Sequence, residues 1–168
     1  LDVELPEVFP TMTYQDAMET YGSDKPDLRF EMPLVEFADY AEKTDFGVFK
    51  NNLAEGGRVK ALVLKNAADQ YSRKVIDGLT EWQKTYYGVK GLAFLKMDQK
   101  SFSAGISKFF DEDLQNEIIS DLGLEHNDIL FFISDTQSRT LQALGALRLE
   151  LAKRQDLIRS GDIKPLFV

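Results

Sequence analysis

The sequence predicts an α/β domain with a sheet of about four strands and helices packed on it. Two observations lead to this prediction. From residue 58 onward, short apolar runs of strand length alternate with segments of helical periodicity. Hydrophobic residues make up 43% of the 168 residues and charged residues 29%, which is typical of a globular domain with a buried core.

The N-terminal third contains one clear helix and a turn. Thr13 is predicted to be the N-cap of a helix from Tyr14 to about Tyr21, because Asp16 follows it in a weak capping-box pattern. Gly22 suits the C-terminal end of that helix. The segment 23–27 then reads as a turn, since it combines serine and aspartate with a proline that disfavours helical geometry at the preceding residue.

The segment from residue 30 to residue 50 is less regular. Leu34 to Phe37 is predicted to form a short strand, followed by one or two helical turns from Phe37 to Lys43. A further strand is predicted near Phe46 to Lys50, and together with the three strands predicted from residue 58 onward it makes a sheet of about four strands.

Three strands are predicted in the rest of the chain. They cover Arg58 to Lys65, Leu92 to Met97 and Ile129 to Ile133. The first becomes apolar on both faces along its length, and the last is apolar on both faces throughout. Such strands lie inside a covered sheet, so Ile129 to Ile133 is predicted to be the central strand.

Helices are predicted between and after these strands. Ser72 and Asp111 are expected N-caps, a helical turn is expected from Ala104 to Phe110, and Asp135 or Thr136 is expected to start the last helix. The three helices have apolar stripes at helical spacing: Val75, Leu79, Trp82 and Tyr86; Leu114, Ile118 and Leu122; Leu141, Leu144, Leu147 and Leu151. The predicted core joins Val75, Leu79, Trp82, Leu141, Leu144 and Leu147 to Val63, Phe94 and Phe131.

Composition excludes several classes of function. Cysteine is absent, which rules out disulfide scaffolds, thiolate metal sites and cysteine nucleophiles. His126 is the sole histidine, so a zinc site built from His and Cys is also excluded. The net charge of −8 disfavours general binding to nucleic acids or membranes, and no run of about 18 apolar residues is present to span a bilayer.

Individual candidate residues favour structural interpretations. His126 lies in a polar turn and is expected to be solvated rather than a general base. The acidic group Asp111 to Asp113 fits the first turn of a helix better than a cation site. Gly145 is expected to allow close packing of the last helix on the sheet. A cationic group is expected to be a solvated face rather than an RNA contact: Arg58, Lys60, Lys65, Arg73 and Lys74.

The two ends predict that the chain is a segment of a longer protein. It opens without an initiator methionine, and its last residues, 164–168, have the character of the start of a strand.

One segment resembles a known family. The motif Tyr-Gln-Asp-Ala-Met over 14–18, followed by Gly-Ser-Asp-Lys-Pro-Asp-Leu-Arg over 22–29, resembles the sequence that precedes the large insertion of bacterial-type aspartyl-tRNA synthetases. The remaining chain resembles that insertion, the GAD domain. The matching pieces are 90–96, 106–110, 128–132 and 144–149, and 164–168 resembles the strand that re-enters the catalytic core.

The resemblance implies an organisation and a fold. Residues 1–30 would be a lead-in from the catalytic core, 31–160 the GAD insertion domain, and 161–168 the return strand. The implied fold is of the α+β type, a two-layer sandwich with a mostly antiparallel sheet and helices on one face.

The resemblance also implies a function for the parent protein. The parent would be a class II aspartate–tRNA ligase that uses ATP and Mg²⁺, with this segment inactive alone and holding no cofactor. The implied partners are the tRNA acceptor arm and the protein's own catalytic domain. The resemblance implies no binding to a membrane. The parent would be a cytoplasmic homodimer, and the segment a monomer.

The Gly22 to Arg29 segment, which would be the junction between the catalytic core and the inserted domain, allows two interpretations. Lys25 and Arg29 offer cations to a carboxylate or a phosphate of tRNA, whereas Asp24 and Asp27 suit turn caps. The favoured interpretation is that these residues pair among themselves and fix the angle between the inserted domain and the catalytic core. Two other functions stay open: the GAD domain of a tRNA-dependent amidotransferase subunit, and an autonomous binding module.

Overall fold

The computed structural model describes residues 11–157, which form six α-helices and five β-strands. The helices are α1 (Tyr14–Tyr21), α2 (Ala38–Glu42), α3 (Gly47–Ala54), α4 (Arg73–Tyr87), α5 (Glu112–Leu122) and α6 (Gln137–Arg154). The strands are β1 (Val35–Glu36), β2 (Arg58–Leu64), β3 (Ala93–Asp98), β4 (Ser101–Ser103) and β5 (Ile129–Asp135). Short 3₁₀ turns cover Ala68–Gln70 and Ser107–Phe109. The predicted return strand over 161–168 lies outside the described residues.

The described strands form a single sheet in the order β1-β2-β5-β3-β4, and each neighbouring pair is antiparallel. Strand β5 is central, as its apolar sequence predicted. Phe131 of β5 faces Leu62 of β2 on one side and Phe94 of β3 on the other. The α/β class and the predominantly antiparallel sheet are therefore confirmed.

Helices cover both faces of the sheet, not the single face that was predicted. Phe131 and Ile133 of β5 enter a core formed with α4 and α6, whereas Leu130 and Phe132 enter a second core with α2, α3 and α5. Successive residues of a strand point to opposite faces, so a strand that is apolar throughout needs cover on both. The result is a helix–sheet–helix arrangement with three layers.

The predicted strand near Phe46 to Lys50 is wrong, because these residues enter helix α3. A short apolar run fits either period, and here helical geometry buries Phe49 and Asn52 against the sheet. The fifth strand is β4, which pairs with β3 across a tight hairpin and was not predicted.

The helix ends follow the predicted capping residues. Thr13, Ser72, Asp111 and Thr136 each accept a hydrogen bond from a backbone amide three residues further along. Gly22, Gly88 and Gly123 end α1, α4 and α5 in left-handed geometry. None of the helices within residues 11–157 is long and apolar enough to cross a membrane.

One predicted core position, Val63, and one position of a predicted apolar stripe, Tyr86, are wrong. Val63 lies on the face opposite Phe131 and packs with the α2–α3–α5 core. Tyr86 is 73% exposed, because the inner face of α4 is formed by Ile76, Leu79 and Gln83. Val75 and Trp82 are only partly buried at the edge of the core, whereas the four predicted leucines of α6 are buried.

Candidate functional site

The segment before the sheet is held firmly on the domain. Helix α1 packs against α6, with Ala17 fully buried. The amide of Leu34 donates a 2.7 Å hydrogen bond to the carbonyl of Thr20, which fixes the chain as it returns towards β1. The turn from Gly22 to Phe30 lies between these two anchors, so its path is determined by the domain.

A pair of glycines brings α1 and α6 into close contact. A Cβ atom on Gly145 would lie 2.7 Å from the carbonyl carbon of Gly22 and closer still to its oxygen. Gly22 itself ends α1 with a φ of +68°, a conformation that favours glycine. Gly145 therefore does permit close packing, but of α6 on the end of α1 rather than of α6 on the sheet.

Glu19 of α1 forms ion pairs with two cations of β2. Its carboxylate accepts hydrogen bonds from Arg58 at 2.8 and 3.0 Å and from the ammonium of Lys60 at 3.0 Å. Lys60 is only 3% exposed, and its ammonium, removed from water, donates both to this carboxylate and to the carbonyl of Glu19. Hydrogen bonds from Arg58, with a further contribution from Lys60, lower the pKa of Glu19 to about 2.

Arg148 of α6 lies in the same region and is 1% exposed. Its Nε donates to the carbonyl of Met32 at 2.9 Å, and its Nη2 donates to the carbonyl of Phe30 at 3.0 Å. Its guanidinium also lies over the rings of Phe30 and Tyr21, at 4.1 and 4.6 Å from their centroids. Burial lowers the pKa of Arg148 to about 10, which still leaves it charged at neutral pH.

The Arg148 contacts explain an unusual backbone conformation. Met32 has a φ of 107°, in a region that residues other than glycine rarely adopt. Because Arg148 binds the carbonyls on both sides of Glu31, it holds this strained segment in place. The signal in the sequence is a charged residue within the buried stripe of α6, four residues after Leu144.

The predicted junction residues divide into a pair and an exposed tip. Arg29 binds Asp27 through Nε at 3.0 and 3.1 Å and through Nη2 at 2.6 Å, and its amide also donates to Asp27. The hydrogen bonds from Arg29 lower the pKa of Asp27. Asp24 and Lys25 are exposed at the tip of the turn, where the amide of Lys25 donates to Ser23 Oγ.

The other candidate residues have local structural partners. His126 Nδ1 accepts a 2.8 Å hydrogen bond from the amide of Gln99 and thereby supports the β3–β4 hairpin. Asp111 caps α5 through the amide of Leu114 at 2.8 Å. Among residues 11–157, no group of three His, Asp or Glu side chains is placed to hold a metal ion.

The predicted cationic group is not a single surface. Arg58 and Lys60 bind Glu19, whereas Lys65 lies at the other end of β2 and binds Asp128 at 2.5 Å. Arg73 lies on α4 and pairs with Asp77, the fourth residue after it.

These features define a three-layer α+β domain whose N-terminal helix and following turn are fixed to it by buried and ionic contacts. The family model of the GAD domain matches residues 49–144, which is more than half of the chain. The chain therefore belongs to the GAD domain family.

Relatives are similar to the chain over nearly its whole length. An aspartate–tRNA ligase of Staphylococcus saprophyticus is 47% identical over 99% of the chain, and one of Halalkalibacterium halodurans is 48% identical over 100%. An aspartate–tRNA(Asp/Asn) ligase of Bacillus cytotoxicus is 46% identical over 99%. The chain spans 28% of the length of each of these relatives.

Proposed function

We propose that the chain is the non-catalytic GAD insertion of a bacterial-type aspartate–tRNA ligase. The observation that supports this most is the extent of the similarity. The family model covers 49–144, but the similarity to the ligases covers 99% of the chain and so includes the Gly22 to Arg29 turn. A GAD domain from an amidotransferase subunit would not be expected to match ligases through this lead-in.

The proposed organisation keeps a lead-in over 1–30, the inserted domain over 31–160 and a return strand over 161–168. In the proposed parent, the catalytic core supplies ATP and Mg²⁺ binding, aspartate activation and tRNA charging. The proposed parent is a cytoplasmic homodimer, and the inserted domain lies beside the acceptor arm of the tRNA.

The contacts of the lead-in favour a positioning role for the junction. Asp27 and Arg29 form an ion pair with each other, and Arg148 fixes the backbone that follows. Two residues at the tip, Asp24 and Lys25, are exposed. We therefore propose that Asp27 and Arg29 set the orientation of the inserted domain, and that Lys25 is the cation available to a phosphate of the tRNA.

The test uses the full-length parent protein with Arg29→Ala, Lys25→Ala and a control, Lys100→Ala, at another exposed lysine. Aspartate-dependent pyrophosphate exchange reports activation, and transfer of aspartate to tRNA reports charging. Arg29→Ala should lower stability and leave exchange nearly intact. Lys25→Ala should spare stability and exchange but weaken charging by about 1–3 kcal/mol, the range for a lost charge-assisted hydrogen bond.

Two results would contradict the proposal at different levels. If the full-length protein shows no aspartate-dependent pyrophosphate exchange, it is not the proposed ligase. If exchange is normal but Lys25→Ala and Arg29→Ala both match Lys100→Ala in stability and charging, the family assignment holds and the role of the junction is wrong.

A further inference from the structure

A cleft of about 450 Å³ opens beside α3 and the start of β3, and residues from both faces of the sheet line it. Its volume lies within the range of small-molecule sites in proteins. The walls are mainly apolar and include Phe46, Phe49, Leu92, Phe94, Ile106 and Phe132. We call this space the β3 cleft, because residues of β3 and the segment before it form one of its walls.

Two cations also line the β3 cleft. Arg73 places its guanidinium carbon 5.9 Å from the ring centroid of Phe94, and its ion pair with Asp77 at 3.4 Å is exposed to solvent. Lys90 is exposed, and within residues 11–157 its ammonium has no ion-pair partner. Two weakly engaged cations beside an apolar cleft are notable in a chain with a net charge of −8.

A polar residue, Ser134, also lines the cleft. Ser134 shares its face of β5 with Phe132, and its hydroxyl is buried without a hydrogen-bond partner among the described residues. A buried hydroxyl without a partner is unfavourable and rare in folded proteins. A ligand with a polar edge would satisfy this group once a small shift of the cleft wall uncovers the hydroxyl, whereas a purely aliphatic ligand would not.

We propose that the β3 cleft binds a nucleotide. The flat base lies between the apolar walls with its polar edge towards Ser134, and the phosphate binds Arg73 and Lys90. Bases combine apolar faces, which stack on aromatic and guanidinium groups, with edges that form hydrogen bonds. The phosphate supplies the negative charge that the two cations match.

This proposal goes beyond the junction and rests on the β3 cleft alone. A free mononucleotide and an unpaired nucleotide at the end of an RNA have the same chemistry. The experiment therefore uses AMP for the first source and a single-stranded oligoadenylate for the second.

The 168-residue chain is labelled with ¹⁵N and titrated with AMP, adenosine and ribose 5-phosphate, with the amides of Gly91 and Gly105 as NMR reporters. Both glycines line the cleft. AMP at millimolar concentration should change the chemical shifts of these amides. Adenosine and ribose 5-phosphate should each bind at least about tenfold more weakly than AMP, because adenosine lacks the phosphate contacts and ribose 5-phosphate lacks the base contacts. If oligoadenylate binds more tightly than AMP, the ligand of the cleft is the end of an RNA. If AMP binds more tightly, the ligand is a free nucleotide.

Variants locate the site. Arg73→Gln combined with Lys90→Gln should weaken AMP binding by about tenfold or more, whereas Lys74→Gln, at the exposed neighbour of Arg73, should not. Gly91 lines the cleft, and a Cβ there meets no atom within 4 Å and leaves the backbone unstrained, so Gly91→Leu should fold and, by adding bulk at the cleft wall, weaken AMP binding. Thermal melts of each variant show that it is folded.

Several outcomes would overturn the proposal. These are the absence of AMP-induced shifts at Gly91 and Gly105, adenosine binding as tight as AMP binding, and unchanged AMP affinity in a folded Gly91→Leu variant. Equal adenosine and AMP affinities would identify a purely apolar site, suited to a side chain of another protein.

Discussion

Replacing Gly145 by alanine is the most direct way to separate local helix propensity from the packing of α1 on α6. In an isolated helix this change is favourable, because alanine is about 0.5–1 kcal/mol better than glycine in a helix interior. In this protein the new methyl group would lie 2.7 Å from the carbonyl carbon of Gly22, where ordinary contacts are 3.4–4 Å. The methyl group meets backbone atoms, which cannot rotate away.

The expected magnitude follows from that overlap. Helices α1 and α6 have to separate by about 1 Å, and overpacking of this kind costs about 1–3 kcal/mol. This cost exceeds the gain in helix propensity, so Gly145→Ala should lower the free energy of unfolding by about 0.5–2 kcal/mol. The separation should also loosen the contacts of Arg148 with Tyr21 and Phe30.

Gly78 in α4 is the matched control. It is also inside a helix, but a Cβ there meets no atom within 4 Å. Gly78→Ala should therefore raise the free energy of unfolding by about 0.5–1 kcal/mol. Urea denaturation of the wild type and both variants measures the changes in the free energy of unfolding, provided that the three m-values agree. A Gly145→Ala variant at least as stable as the wild type would refute the packing argument.

Two further predictions concern the core and the ion pairs. Phe131→Ala should lower the free energy of unfolding by about 3–5 kcal/mol, as for other buried aromatic residues, because Phe131 is 0% exposed in the central strand. An unchanged melting temperature would contradict the placement of Phe131 in the core. Glu19→Gln should destabilise the protein at neutral pH by about 1–3 kcal/mol, because Arg58 and the buried Lys60 lose their charged partner. The pKa of Glu19 falls from 4.5 to about 2 on folding, so its contribution is full above pH 4.5 and lost as the pH falls towards 2. Denaturation curves of wild type and Glu19→Gln should therefore converge over that interval, and a constant difference would show that the Glu19 charge is not responsible.

Local signals in the sequence were sufficient for most element boundaries. The caps at Thr13, Ser72 and Asp111 and the glycines that follow the helices act through hydrogen bonds within a few residues, so a single sequence contains all their partners. The same local logic was insufficient at Phe46 to Lys50. The residue pattern of this segment fits a strand and a helix almost equally well. Burial of Phe49 against the sheet selects the helix.

The face that a residue occupies was harder to predict than its element. Val63 and Phe131 were both expected in one core, but antiparallel pairing of β2 with β5 places Leu62 opposite Phe131 and turns Val63 to the other side. A shift of one residue in register exchanges the two faces of a strand. Register depends on partner strands distant in sequence, so alternation alone does not determine it.

The sequence by itself determined the α/β class, the central strand, the helix caps and the resemblance carried by the Gly22 to Arg29 turn. Each of these depends on local hydrogen bonding, on periodicity or on a contiguous motif. Only the tertiary structure decided that helices cover both faces, that Arg148 holds the backbone around Met32, and that Glu19 neutralises Lys60. The physical reason is distance along the chain: Arg148 and Met32 are 116 residues apart, and Lys60 and Glu19 are 41 apart. A buried charge is tolerated only where the fold brings its partners to it, and no local pattern in the sequence identifies those partners.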